Sequence, residues 1–408
     1  MAALDQKQPK LIAVLGATGN QGRGVVKALL DAPHHFDVRA ITRDPDGAAA
    51  RNLLALVGHH GRLTFTRADV YDSKSLAEAF EGSYGVFAMT QSFVAGTMYH
   101  KEEDLRHELE AGRNIVDAAE KTGVKHFIFS SLPNIENASN GRYSKVFHFD
   151  FKSRIDEWAR ERLPAVTTLI PGLFYENLQW PNYCRRDDDG TVRFCAAVSE
   201  STVGEWVDVG HDVGIFVRAV LIAGTSKTAS KTYPIGSPKI SFGELASVFS
   251  SMTGIPARFE SVGLEDWTST VVSVAGEGFK EDIRQMVQWV AHAPKDKICY
   301  GTMNSVDDCS WEDLGVKAKF NFHVTADKLE RFRTSLSASS VAVDDWYNQH
   351  QNIQFGTTRS WLAEAKEAWI NFDWRDKENH INRFPNFNIP IDDNNLGVTN
   401  IHFIALFS

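Results

Sequence analysis

The sequence predicts an α/β protein: a Rossmann-type doubly wound parallel sheet with a smaller C-terminal α+β lobe. Three observations predict it. Between residues 11 and 170, short β-branched or apolar runs alternate with longer segments of helical period, the pattern of a parallel sheet covered on both faces. A glycine-rich turn, Gly16-Ala17-Thr18-Gly19-Asn20-Gln21-Gly22, joins the first run to the first helix. Beyond Pro171 the alternation loosens into shorter helices and hairpin signals, as expected where a second lobe grows from insertions after the later strands.

Leu11 to Leu15 reads as the first strand, and Gln21 to Leu30 as a helix with Val25, Val26, Leu29 and Leu30 on one face. Val38 to Thr42 gives strand two, Ala48 to Val57 helix two, and Leu63 to Thr66 strand three. Ser73 to Phe80 forms the third helix, with a serine at its N-cap. Strand four spans Gly85 to Met89, a long helix runs from Glu102 to Lys121 and stops at Gly123, and strand five spans His126 to Ser130. A helix from about Val146 to Arg162 precedes a further strand, Val166 to Ile170. In the second lobe, Asp187-Asp188-Asp189-Gly190 reads as a solvated hairpin turn, because three consecutive side chains point in different directions. Ser241 and Glu244 have capping-box spacing ahead of the helix carrying Leu245, Val248 and Phe249. Trp361 to Trp369 has helical character, whereas Asn379 to Asn400 is dense in Asn, Asp and Pro and reads as irregular.

At 408 residues the chain is long for one compact domain, which points to a core of about 300 residues with additions or to two domains, and 43% hydrophobic with 23% charged residues excludes a disordered or fibrous class. The balance of 43 basic against 52 acidic residues leaves a formal charge of −9, which disfavours direct binding to nucleic acid. No apolar run approaches the roughly 20 residues that cross a bilayer, and the first ten residues lack the apolar centre of a signal peptide. The expectation is a soluble, cytoplasmic protein, nuclear if it acts as a regulator, with no membrane partner. Cys184, Cys195, Cys299 and Cys309 form no CxxC pair and read as buried thiols. The pairs His34/His35 and His59/His60 have no metal-ligand spacing, so no metal is expected. Asn137-Ala138-Ser139 reads as a chance glycosylation match.

The glycine turn carries the first chemistry. Glycines let the backbone approach a pyrophosphate whose charge then faces the positive end of the following helix, so Gly16, Thr18, Gly19, Asn20, Gln21 and Gly22 are the expected nucleotide cradle. A carboxylate at the end of strand two would select NAD, but Thr42 and Arg43 stand there. A guanidinium holds a 2′-phosphate with charge-assisted bonds, which points to NADP(H), although Arg43 also fits a plain surface strand end. Asp69 either accepts from the adenine amino group or only begins the turn to Asp72. Ser130 and Ser131 end strand five, and His148 and Lys152 project from one face of the next long helix at i, i+4 spacing. Short-chain reductases carry Tyr and Lys on this face, and no Tyr-x-x-x-Lys occurs in this chain. His148 therefore reads either as a general acid or as a packing residue among phenylalanines.

The Gly16 to Gly22 loop, Thr42-Arg43, Ser130 to Asn134, His148 to Lys152, Pro171 to Leu178 and His211-Asp212-Val213-Gly214 together make the chain resemble the NmrA-like family of atypical short-chain dehydrogenases/reductases, over roughly residues 8 to 350. Trp346 to His350 looks like that family's last helix. The resemblance implies NADP(H) held by the glycine loop, Arg43 and Lys152, with Lys152 on the nicotinamide ribose. A smaller lobe would close over a cleft lined by Tyr175 and Asn177, and Lys152, His148, Tyr175 or water would supply a proton. The expected domains are 8–172, an NAD(P)-binding core; 173–354, a substrate or partner lobe with later strands returning to the core; and 355–408, a partly irregular extension. Within the family some members resemble redox sensors acting on a protein partner such as a transcription factor, and others reduce small carbonyl, enone or imine substrates in biosynthetic pathways. The aromatic residues Phe174, Tyr175, Trp180, Tyr183, Trp206 and Trp267 suit a cleft for a flat or apolar molecule, which leans toward the oxidoreductase, although ordinary core packing accounts for most of them equally well.

Overall fold

The computed structural model describes residues 8–316 apart from positions 33, 34, 59, 60, 95, 180, 181 and 238. Strand β1 (Lys10–Leu15) leads through the glycine turn into α1 (Asn20–Leu30). Then come β2 (Phe36–Thr42), α2 (Ala48–Val57), β3 (Leu63–Arg67), α3 (Ser73–Phe80), β4 (Gly85–Met89), α4 (His107–Lys121), β5 (His126–Ser130), the one-turn α5 (Ile135–Ala138), α6 (Phe147–Arg162) and β6 (Val166–Pro171). The later chain forms β7 (Leu173–Phe174), β8 (Cys184–Arg186), β9 (Val192–Ala196), β10 (Val203–Gly204), β11 (Trp206–Val207), α7 (Asp212–Ala223), α8 (Thr225–Thr228), β12 (Thr232–Ile235), β13 (Ile240–Ser241) and α9 (Phe242–Thr253). It closes with β14 (Ala257–Ser261), α10 (Leu264–Ala275), α11 (Lys280–His292) and α12 (Ser310–Leu314).

Seven strands form one parallel sheet in the order β12-β6-β5-β4-β1-β2-β3. The winding runs outward from β1 in both directions, so the chain reverses between β1 and β4. Alternation along β1 shows why both faces are covered. Ile12 and Val14 pack with α1 and α7 residues such as Val25, Leu29, Val213 and Val217, while Ala13 and Leu15 pack with Leu76, Ile115, Val116 and Ile155 from α3, α4 and α6. Helices α1 and α7 meet at backbone contact: a Cβ on Gly214 would lie 2.2 Å from the Gly24 carbonyl oxygen, so a larger residue there would force the helices apart. β12 returns the later chain to the sheet beside β6, in register from Thr232 with Thr168 to Ile235 with Pro171.

The second lobe has its own core, in which Trp206, Phe242, Phe249, Trp267 and Phe279 are buried between α9, α10, α11 and the small sheet β14-β9-β8. The hairpin turn expected at Asp187 to Gly190 joins β8 to β9, with the Asp187 N–H donating to the Thr191 carbonyl at 2.9 Å. The capping box at α9 is formed by Ser241 and Glu244 in both directions. Two expectations need correction. The cap of α3 is Asp72, whose carboxylate accepts from the Lys74 and Ser75 amides, so Ser73 is the first helical residue. The helix expected from Glu102 begins with a tight 3₁₀ turn, Glu102–Arg106, held by Asp104 accepting from the His100 and Lys101 amides, and becomes α-helical at His107. The boundary expected at residue 354, the last helix near Trp346 to His350 and the tail helix at Trp361 to Trp369 lie outside the described residues.

Helix α12 ties the end of the described chain to the sheet. The Tyr233 hydroxyl donates to Asp313 at 2.8 Å, Lys227 donates to the Glu312 carbonyl at 2.9 Å, and Leu314 and Val316 pack on the α1/α7 face. A chain ended after Val316 keeps every one of these contacts. It should unfold cooperatively with a midpoint within about 4 °C of the full chain, a difference of no more than roughly 1–2 kcal/mol for a unit of this size. Thermal unfolding followed by circular dichroism checks this, and loss of a cooperative transition would show that the sheet depends on residues beyond 316.

Candidate active site

The sheet topology puts the turn after β1 and the segment after β4 side by side at the carboxyl edge. In the turn, Gly16 has φ of +65° and the Gly19 amide donates to the Gly16 carbonyl at 2.9 Å. A Cβ on Gly22 would stand 2.2 Å from that same carbonyl oxygen, so only glycine allows the loop to fold this tightly onto α1. Gly19 caps α1 without a side-chain hydrogen bond, and the first turn holds no acidic residue. The positive helix end and its amides are thus presented to an anion, and Gly16, Thr18, Gly19 and Asn20 remain partly exposed for it. This cradle fits a dinucleotide pyrophosphate. Gln21 and Gly22 are buried beneath the turn, with Gln21 Nε2 3.8 Å from the Met89 sulfur at the end of β4. Arg43 follows β2 and is exposed, and Arg67 at the paired end of β3 lies 3.7 Å from Asp44. Asp69 accepts from the Tyr71 amide at 2.9 Å and its carbonyl takes the Asp72 amide, so it does form the turn proposed for it.

Beside the ends of β5 and β6 the two lobes enclose a cavity with about 870 Å³ of space outside the atoms, part of it continuous with solvent. Ser130, Ser131, His148 and Lys152 line one side; Phe174, Tyr183, Phe242, Trp267, Met286 and Val287 make the rest apolar. Asn177 also lines the cavity, whereas Tyr175, expected beside it, is 1% exposed and stacks on Trp206 within the second lobe's core, with ring centroids 5.8 Å apart. Trp180 lies outside the described residues. Tyr300, in a left-handed conformation (φ 57°), closes the cavity from the second lobe, with its hydroxyl donating to the Pro171 carbonyl at 3.0 Å.

The two titratable groups on α6 each meet a buried carboxylate. The Lys152 ammonium pairs with Glu108 and donates to the Thr90 carbonyl at 3.1 Å and Ser92 Oγ at 3.2 Å. Glu108 also accepts from the Thr90 hydroxyl at 2.6 Å and from Ser92 at 2.5 Å. Lys152 is thus held in a buried network directly after β4 while also lining the cavity. One turn earlier, His148 Nδ1 lies 2.6 Å from Asp282 on α11, and the His148 amide donates to the other oxygen of that carboxylate at 3.0 Å. Glu108 and Asp282 were missed in the sequence. Each sits in the first turn of its helix, where an acidic residue ordinarily just complements the helix dipole, and nothing in the spacing signals a partner 44 or 134 residues away.

Asp150, between these two on α6, accepts from the Ile135 amide at 2.6 Å and the Glu136 amide at 3.2 Å, holding the start of α5. Burial first, then the neighbouring Glu136 and Asp282 charges, raise its pKa to about 6 against the two amide bonds. The folded protein binds this proton more tightly than the unfolded chain does. Its stabilising contribution is fully present below the unfolded value near 3.8 and is lost as pH rises through about 6. Asp150→Asn keeps an acceptor for both amides and carries no charge. It should stabilise the protein on the order of 2–3 kcal/mol at pH 7.5, an advantage that vanishes as pH falls toward 4. Urea denaturation across that range checks it, and an advantage independent of pH would contradict it.

With this geometry in place, the relatives can be set beside the chain. The sequence profile of the NmrA-like family matches residues 8–314, and that of the epoxide hydrolase N terminus matches residues 317–408. The chain is 32% identical over 371 residues to the NmrA-like family domain-containing oxidoreductase ptmS of Penicillium ochrochloron, covering 88% of this chain and 98% of that one. Among solved structures it is similar to NmrA, a negative transcriptional regulator, in complex with NADP (TM-score 0.59, 19% identity, 90% of this chain and 99% of that one). It is also similar to the NADPH-dependent quinone oxidoreductase QOR2 of Escherichia coli complexed with NADPH (TM-score 0.56, 19% identity, 79% and 99%). Among the described residues no helix is long and apolar enough to cross a membrane.

Proposed function

The chain belongs to the NmrA-like family, and from that premise we propose that it is an NADP(H)-dependent oxidoreductase that reduces a small organic carbonyl, enone or imine in a small-molecule biosynthetic pathway. The observation that carries this reading is an apolar cavity, bordered by His148 and Lys152, on the carboxyl edge of the same sheet that bears the glycine turn. The oxidoreductase name of its fungal relative and the NADPH-dependent quinone oxidoreductase among its structural neighbours agree with it.

The cofactor, when bound, supplies a hydride with its electron pair. The chain's residues do the rest. The amides of the Gly16 to Gly22 turn and the α1 dipole hold the pyrophosphate, and Arg43 takes the 2′-phosphate. The aromatic wall of Phe174, Phe242 and Trp267 excludes water and aligns a flat substrate. Glu108 holds Lys152 in place beneath the cavity, and the charge of the ammonium is balanced there. His148 lies on the cavity wall, within reach of a substrate heteroatom that must gain a proton after its carbon is reduced.

Incubation of the full chain with NADPH and a panel of ketones, enones and cyclic imines tests the reading through NADPH oxidation. Consumption with at least one class is expected. No consumption across the panel, together with a protein partner whose affinity differs tenfold between NADPH and NADP, would establish the sensor role instead. In the same preparation NADPH should bind more tightly than NADH. Arg43→Ala should remove roughly ten- to a hundredfold of NADPH affinity and leave NADH unchanged, as measured by calorimetric titration.

A further inference from the structure

We propose that Asp282 is a positioning residue: from the second lobe it fixes the tautomer and orientation of His148 and so makes His148 the proton donor of the cavity. The proposal rests on the reductase reading for its chemistry, but its geometry stands apart from that reading. Asp282 is fully buried and His148 is 4% exposed, so water does not compete for their contact. One carboxylate oxygen accepts the His148 backbone amide at 3.0 Å, which pins the carboxylate to the start of α6. The other lies 2.6 Å from Nδ1. An ionised carboxylate can only accept, so Nδ1 carries the ring's permanent proton and Nε2 is the nitrogen whose proton comes and goes.

In the transfer itself, the substrate heteroatom has received the electron pair of its former double bond once hydride has reached the carbon. It takes the proton from Nε2 of the doubly protonated ring, and the imidazole is left neutral with its Nδ1 proton still on the ring and donated to Asp282. NADPH, the substrate and one solvent proton give the reduced product and NADP⁺, and Nε2 regains its proton from water before the next turnover. The arrangement also makes the donor depend on lobe docking, because α6 brings the ring from the sheet domain and α11 brings the carboxylate from the second lobe.

Asp282→Asn is the decisive variant. The His148 amide would keep the Asn carbonyl oxygen, so the NH₂ group must face Nδ1 and donate to it, forcing the ring proton to Nε2. Nitrogen NMR of the full-length protein labelled at histidine should show His148 protonated at Nδ1 in the wild type and at Nε2 in the variant, with His148→Phe identifying the signal. With a substrate from the panel, kcat should fall by about 10²-fold or more, while KM and NADPH affinity stay within threefold. In a His148→Phe background, Asp282→Asn should cost less than twofold further, which separates positioning from a structural role. An unchanged tautomer in the variant overturns the proposal whatever the substrate proves to be. So does a kcat loss that persists undiminished in the His148→Phe background. Absence of turnover in the wild type with the tautomer switch intact instead refutes the reductase reading and leaves the positioning contact established. If Asp282→Asn does not fold, the Nδ1-protonated tautomer in the wild-type spectrum still decides: its absence overturns the proposal and its presence supports it.

Discussion

A parallel sheet wound outward from its first strand in two directions has one point at which neighbouring crossovers leave on opposite faces, and the chemistry of this protein is arranged around it. Because β4 lies beside β1 with β5 and β6 beyond, the glycine turn after β1 and the Thr90 to Ser92 segment after β4 come to the same edge. No side chain has to create the crevice between them. It follows from right-handed crossovers and strand order, and side chains then specialise it. The close contact of Gly24 with Gly214 belongs to the same constraint: α7 can cover the face beside α1 only if both helices give up their side chains at the crossing.

Onto this edge α6 brings two basic groups, and each is met by a carboxylate from elsewhere. Burying an ion pair costs several kcal/mol per charge in lost hydration, which is recovered only when every remaining hydrogen-bonding position is filled. The Lys152 and Glu108 pair meets that condition through Thr90 and Ser92. Removing one partner would strand the other charge, at a cost of about 3–5 kcal/mol. The His148 and Asp282 contact differs in kind, since it crosses from the sheet to the second lobe. One pair thus fastens α6 to α4 and the strand-four edge, and the other fastens α6 to α11. His148 and Lys152 both line the cavity, so the two pairs together hold the wall that α6 contributes.

Much of this was legible in the sequence because its signals are local. Strand and helix periods, the Gly16 to Gly22 spacing, the Ser241 and Glu244 capping box and the i, i+4 placement of His148 and Lys152 all depend on residues near one another. Where two neighbours could serve equally, the sequence could not choose: Asp72 and Ser73 are both good caps, and the carboxylate won. Long-range partners were invisible for a different reason. Asp282 and Glu108 look like ordinary acidic residues at helix starts, and Tyr175 gives no sign that Trp206, 31 positions on in the chain, draws its ring into the lobe core. The cavity itself is a product of tertiary packing, assembled from α6, the ends of β5 and β6, and segments of the second lobe as far along the chain as Tyr300.

A crystal structure of the full chain with NADP bound tests the account most directly, because it places the cofactor relative to a cavity argued from unliganded geometry. The account predicts the pyrophosphate on the amides of the Gly16 to Gly22 turn, Arg43 on the 2′-phosphate, and the nicotinamide ring at the mouth of the cavity with His148 still held by Asp282. A dinucleotide bound with its nicotinamide directed away from the cavity, toward solvent or a protein-binding face, would contradict it.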